Sequence, residues 1–112
     1  MKQRVENFLS NFRKISMEKG VFFWSREENT MAMTMLKLQR TEVTEILQNL
    51  DYRDYCEGPS FQEGNPEAWC FGRTINDLEV YIKLAIEEKK KRKTAVCISF
   101  HQSTKPLSYP LR

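Results

Sequence analysis

A single histidine and three scattered cysteines leave this chain little with which to hold a metal. Cys56, Cys70 and Cys97 stand far apart with unmatched spacings, so no metal-ligand pattern occurs, and an odd count builds no closed disulfide framework. No metal and no other cofactor is expected, and the cysteines read as reduced thiols of a cytoplasmic protein. Long apolar runs are also missing. Nothing near Met1 resembles a signal peptide, and no stretch approaches membrane-spanning length, so no membrane association is expected. Four glycines and four prolines are too few to mark a linker, and no repeat is visible. The expectation is one domain, 1–112, with one core. Neither sign of charge dominates: 18 basic residues against 15 acidic ones leave a net +3. Such a balance permits a polyanionic partner without demanding one.

What is present is an ordinary globular composition, 40% hydrophobic and 12% aromatic, which excludes a disordered chain. The basic residues cluster, with five in succession at Lys89, Lys90, Lys91, Arg92 and Lys93, and others at Lys105 and Arg112. That run divides two alternating arms. In the first, Val80, Ile82, Leu84 and Ile86 alternate with Glu79, Tyr81, Lys83 and Ala85; in the second, Val96, Ile98 and Phe100 alternate with Ala95, Cys97, Ser99 and His101. Period-two alternation predicts two half-buried strands joined as an antiparallel hairpin, with the charged run from Glu87 to Lys93 as its turn. Directly paired residues share a face. If the apolar sets unite as a core face, Tyr81, Lys83, Ser99 and His101 gather on the other, with Tyr81 opposite or diagonal to His101.

Earlier in the chain, Val5, Phe8, Leu9, Phe12 and Ile15 make one helical stripe over residues 3–18, with Gly20 as its stop. Residues 21–24, Val-Phe-Phe-Trp, read as a brief strand or an extended linker. From Arg26 the period is helical again, with Met31, Met35 and Leu38 on one side as flexible core filler. Thr41 is the expected N-cap of a helix carrying Val43, Ile46, Leu47 and Leu50, with Glu42 in its first turn. Residues 51–57 are a short strand or an irregular approach stopped by Gly58-Pro59, and residues 60–67 a surface loop. Residues 68–74 predict a strand that turns at Asn76-Asp77, pairing Phe71 with Ile82, Trp69 with Leu84, Cys70 with Lys83 and Gly72 with Tyr81. Gly72 then leaves room beside Tyr81 for a ligand or for the ring itself. The tail from Lys105, with two prolines, is expected to run extended. The fold class is α+β, with N-terminal helices on one face of a three- to four-stranded antiparallel sheet.

The other face is left free. Tyr81, Lys83 and His101 supply a proton carrier, a fixed cation and a titratable base, a set that can cleave an RNA phosphodiester without metal. A base takes the 2′-hydroxyl proton, a cation steadies the phosphate, and an acid protonates the leaving 5′-oxygen. Imidazole suits the proton work because its ordinary pKa is ~6.5. Arg73 and the run Lys89 to Lys93 are the expected holders of the RNA backbone. Cys70 and Cys97 read as small strand residues, since no second histidine exists to activate them. Glu27-Glu28 and Glu87-Glu88 diverge within any regular element and take no acid–base role.

Several short motifs carry a resemblance. Asp-Tyr-Cys-Glu-Gly-Pro at 54–59, Trp-Cys-Phe-Gly at 69–72, Glu-Val-Tyr-Ile-Lys-Leu at 79–84 and Cys-Ile-Ser-Phe-His at 97–101, with a Tyr-Pro near the end, are similar to the MqsR-like toxins of type II toxin–antitoxin systems. The resemblance covers roughly residues 41–110. It implies a RelE-like fold, a cytoplasmic endoribonuclease that cuts mRNA, and a cognate antitoxin encoded beside it. It carries the family's active-site tyrosine to Tyr81, with Lys83 two residues on. Three positions depart from the family pattern: Glu57 falls near an active-site lysine, Cys70 replaces a glutamine, and His101 replaces a basic residue. The alternative is a non-catalytic RNA- or protein-binding module, an inactive relative of such toxins. A nucleic-acid accessory protein of a mobile element is a third.

Overall fold

The computed structural model describes residues 1–112. Helix α1 (Lys2–Lys19) ends where Gly20 takes a positive φ of 77°. Strand β1 (Val21–Phe23), helices α2 (Glu27–Leu36) and α3 (Arg40–Gln48) and a 3₁₀ turn (Tyr52–Asp54) follow. Four strands complete the chain: β2 (Tyr55–Ser60), β3 (Ala68–Ile75), β4 (Leu78–Lys89) and β5 (Arg92–Gln102). The sheet runs β1-β5-β4-β3-β2, with β1 parallel to β5 and every other pair antiparallel. The fold is therefore α+β, but the sheet has five strands and is mixed, not three or four antiparallel ones. The fifth strand is Val-Phe-Phe, whose three residues are too short for alternation to distinguish a strand from an extended linker. No helix is long and apolar enough to cross a membrane.

One core lies between α1, α3 and one face of the sheet. Val5, Phe8, Leu9 and Phe12 from α1 and Val43 and Leu47 from α3 meet Trp69, Phe71, Val80, Ile82, Leu84 and Phe100. Phe8 stacks on Trp69 with centroids 5.3 Å apart. Removing a ring as fully enclosed as Phe12, Phe71 or Phe100 would cost about 3–5 kcal/mol.

Three local expectations are corrected. Helix α3 begins two residues earlier than expected from Thr41: Gln39 is the N-cap, and its N–H donates to Glu42 Oε1 at 2.9 Å, so the first-turn carboxylate closes the cap from inside. Met31 and Met35 face solvent, 63% and 53% exposed, because α2 buries Asn29, Ala32 and Leu36 instead. Gly58-Pro59 does not end β2, which continues to Ser60 through two register irregularities.

The β3–β4 pairing follows the sequence reading in full, from Ile75 opposite Leu78 across a two-residue turn to Trp69 opposite Leu84. The β4–β5 hairpin departs from it. Both strands run on to Lys89 and Arg92, so the charged run is mostly strand and the turn is only Lys90-Lys91. The register also shifts between Lys83, opposite Ser99, and Leu84, opposite Cys97. Ile98 is the extra residue of a β-bulge. Beyond it the faces exchange. Ala95 and Cys97 join the main core, while Val96 and Ile98, expected there, sit on the other face with Ala68, Ala85 and Trp24.

Candidate active site

The face turned away from α1 and α3 carries the site. Glu57 on β2 stands opposite Cys70 on β3, Gly72 on β3 opposite Tyr81 on β4, and Tyr81 opposite His101 on β5. Because the bulge lies toward the turn, Tyr81 and His101 keep the parity that the hairpin predicts. Their ring centroids are 5.4 Å apart at an interplanar angle of 34°. Both line a groove of about 540 Å³, shared with Cys56, Glu57 and the chain from Ser103 to Ser108.

The tautomer of His101 follows from its partner. Nδ1 lies 3.0 Å from the Gln102 carbonyl oxygen, which can only accept, so Nδ1 carries the proton. In the neutral ring Nε2 then keeps its lone pair and is the basic atom. Tyr81 Oη is 3.0 Å from Cys70 Sγ. Burial, reinforced by that hydrogen bond, holds the Tyr81 phenol well above its ordinary pKa, so it remains a proton donor at neutral pH. Burial also raises the Cys70 thiol, against the opposing pull of the Tyr81 hydroxyl. Cys56 is pushed up to about 12 by burial first and by Cys70 second. Neither sulfur is a thiolate near neutrality, consistent with the expectation that no cysteine acts as nucleophile.

Lys83 shares the face but not the groove. It lies in the adjoining hollow with Trp24, Arg26, Ser60 and Ile98. Arg26 Nη1 donates to Ser99 Oγ there at 3.4 Å.

Arg73 lies on the other side of the sheet. It stands opposite the buried Val80, and its Nη2 donates to Asp54 Oδ2 at 2.6 Å and to the Asn49 carbonyl at 3.0 Å. Its work is to tie β3 to the 3₁₀ turn, and it cannot reach a ligand held by Tyr81 and His101.

The basic run divides too. Lys89 and Arg92 are paired on the site's face, Lys90 and Lys91 form the turn, and Lys93, opposite Glu88, points to the helix side. Lys89 is engaged by Glu87 at 3.4 Å. The eight residues from Tyr81 to Lys89 place this tip about 26 Å from the groove.

The tail was the least legible part. Leu107 N–H and Tyr109 Oη donate to the two carboxylate oxygens of Glu79 at 2.9 and 3.0 Å. The space above Gly72 is taken by this tail. A Cβ there would stand 2.5 Å from Leu107 Cδ1 and 2.6 Å from Tyr109 Oη. The groove wall from Ser103 to Ser108 therefore comes from a segment in which the sequence showed only two prolines and little periodicity. Compared with protein-family models, with curated proteins and with solved structures, the chain matches none.

Proposed function

We propose that the chain is the toxin of a type II toxin–antitoxin system, an MqsR-like endoribonuclease of RelE-like fold that cleaves mRNA in the cytoplasm without a metal. The observation that carries this is the pairing of Tyr81 and His101, a protonated phenol and an imidazole with a free Nε2, side by side in one open groove. His101 Nε2 takes the proton of an RNA 2′-hydroxyl, and the 2′-oxygen forms a bond to phosphorus. The bond from phosphorus to the 5′-oxygen breaks, and Tyr81 Oη gives that oxygen its proton. An alkoxide is a stronger base than a phenolate, so the transfer is downhill even from a phenol of raised pKa. The imidazolium then returns its proton to Tyr81, and the products are a 2′,3′-cyclic phosphate and a 5′-hydroxyl. Lys105 on the groove wall is the cation placed to steady the phosphate, while Lys83, two residues from Tyr81 along the same face, stands in the adjoining hollow.

A second observation supports the family resemblance. Glu57, Cys70, Tyr81 and His101, the four positions that it aligns with active-site residues, come from four neighbouring strands and lie across one face. The silencing partner on this reading is an antitoxin from the adjacent gene. Glu57 also favours the rival reading, a non-catalytic RNA- or protein-binding module, because a carboxylate lining the groove repels a phosphate.

The test is cleavage of single-stranded RNA in the presence of EDTA. Wild-type protein is expected to cut, and His101→Ala to lose about 10²–10⁴-fold in rate with its melting temperature unchanged. Undiminished cleavage by that variant removes His101 from the mechanism. Salt-sensitive binding of RNA by wild type without any cutting favours the binding module.

A further inference from the structure

We propose that the helix-free face between the groove and the Lys90-Lys91 turn is a track for single-stranded RNA, on which Phe22 and Trp24 stack bases while Arg26, Lys83 and Arg92 hold phosphates. This rests on the reading of the groove as an RNA site and extends it from a point of cleavage to a path.

Three independent features of the face lead there. The first is aromatic. Phe22 is 61% exposed on a strand only three residues long. It stands opposite Val96, which the bulge has turned to this face. Trp24 lies two residues on, half-buried against Val96, Ala85, Ala68 and Ile98. Two rings at that spacing are about 7 Å apart along one face. Unpaired bases offer both of their π-faces to such rings, whereas bases within a duplex do not.

The second feature is charge. Arg26 stands with its guanidinium 5.2 Å from the Trp24 ring, in the hollow that it shares with Lys83. Arg92 follows at the far end, on the same face. Cations thus flank the aromatic pair along the strand direction. The one carboxylate on this stretch of β4, Glu87, is occupied by Lys89. A negatively charged backbone with flat bases complements this arrangement; an acidic protein surface would complement the charge but not the exposed rings.

The third is strain. Lys90 and Lys91 sit at φ of 49° and 64°, the left-handed region in which Asn-Gly is comfortable and lysine is not. Asn76-Asp77 meets the same demand at the other hairpin with residues that tolerate it. Charge kept at a strained position is the pattern expected where a local rule is broken for function.

The experiment follows tryptophan emission while the protein is titrated with uridine oligonucleotides of about two and about eight residues. Trp69 is only 5% exposed and stacked under Phe8, so a change in emission reports Trp24. The longer oligonucleotide is expected to bind more tightly and to quench emission, and Trp24→Phe to remove the signal. Phe22→Ala, an exposed change, is expected to weaken the longer oligonucleotide about 10-fold and to leave cleavage of the dinucleotide unchanged. Arg92→Ala should reduce the log–log salt slope by about 0.7, the value of one phosphate contact.

Binding that does not tighten with length, or that Phe22→Ala leaves intact, overturns the track even if the dinucleotide is cut. An absence of quenching at any length overturns it too and leaves the face to a protein partner. If the long oligonucleotide behaves as expected but nothing is cut, the track stands and the nuclease reading falls.

Discussion

The Asn29 side chain makes three hydrogen bonds in a position with 2% exposure. Its Nδ2 donates to the Trp24 and Ile98 carbonyls at 3.2 and 3.0 Å, and its Oδ1 accepts from the Phe100 N–H at 2.9 Å. Strand β1 pairs with β5 only as far as Cys97, so the edge of β5 beyond it would otherwise present unpaired groups. Asn29 takes the place of a missing neighbour there, at the bulge that turns Ile98 outward and leaves Ser99 and His101 on the site's face. Asn29→Ala strands a buried donor and a buried acceptor and is expected to cost about 2–4 kcal/mol in urea unfolding. A loss below about 0.5 kcal/mol, the ordinary surface value, would mean that the bulge holds itself. Nothing in the sequence marked this residue, because the pattern that makes an asparagine a clamp lies 69 and 71 residues away. Arg73 is the opposite case. Its register position, opposite Val80, already assigned it to the core side, and its charge drew attention from that.

Among the elements, the two hairpins differ in how much of them could be read. Asn76-Asp77 is a recognisable tight turn, so one correct loop length fixed eight cross-strand pairs from Ile75 to Ala68. The β4–β5 hairpin had no such anchor. Residues 94–101 carry apolar side chains at Ala95 and Cys97 as well as at Val96 and Ile98, so alternation accepts either parity. The choice is made by Trp24 and Asn29, from outside the strand. Phe100 and His101, on the side of the bulge away from the turn, kept their expected faces, which is why the Tyr81–His101 pair was legible while the outer half of the arm was not. The strained tip gives a second prediction. Replacing Lys90-Lys91 with Asn-Gly should stabilise the hairpin by about 1 kcal/mol, seen as a higher denaturation midpoint at unchanged m-value. It should also weaken RNA binding. A variant no more stable than the parent would show that the sheet's twist alone carries the turn.

At the scale of the whole molecule, burial keeps several weak acids protonated. Cys97 and Tyr109 are held at about 12, Tyr109 by burial first and then by the Glu79 carboxylate, and Cys56 is at about 12 as well. Tyr55, Cys70 and Tyr81 are raised in the same direction, burial leading each time. In the unfolded chain thiols titrate near ~8.5 and phenols near ~10. Between those values and about 12 the folded state binds more protons than the unfolded one, so stability falls as pH rises. It is complete below about pH 8.5. The urea midpoint should therefore hold from about pH 7 to 8 and decline steadily by about pH 11; a level profile across that range would show that these groups are not buried as described.

The same molecule, 38 Å along its longest axis, packs α1 and α3 on one side of the sheet and carries the groove on the other. The ends of the cut RNA test the chemistry in that groove most directly. Single-stranded RNA incubated with the protein in EDTA and examined by mass spectrometry should yield 2′,3′-cyclic phosphate on one fragment and a 5′-hydroxyl on the other. Intact RNA, or fragments bearing 5′-phosphate and 3′-hydroxyl, would contradict a proton relay between His101 and Tyr81.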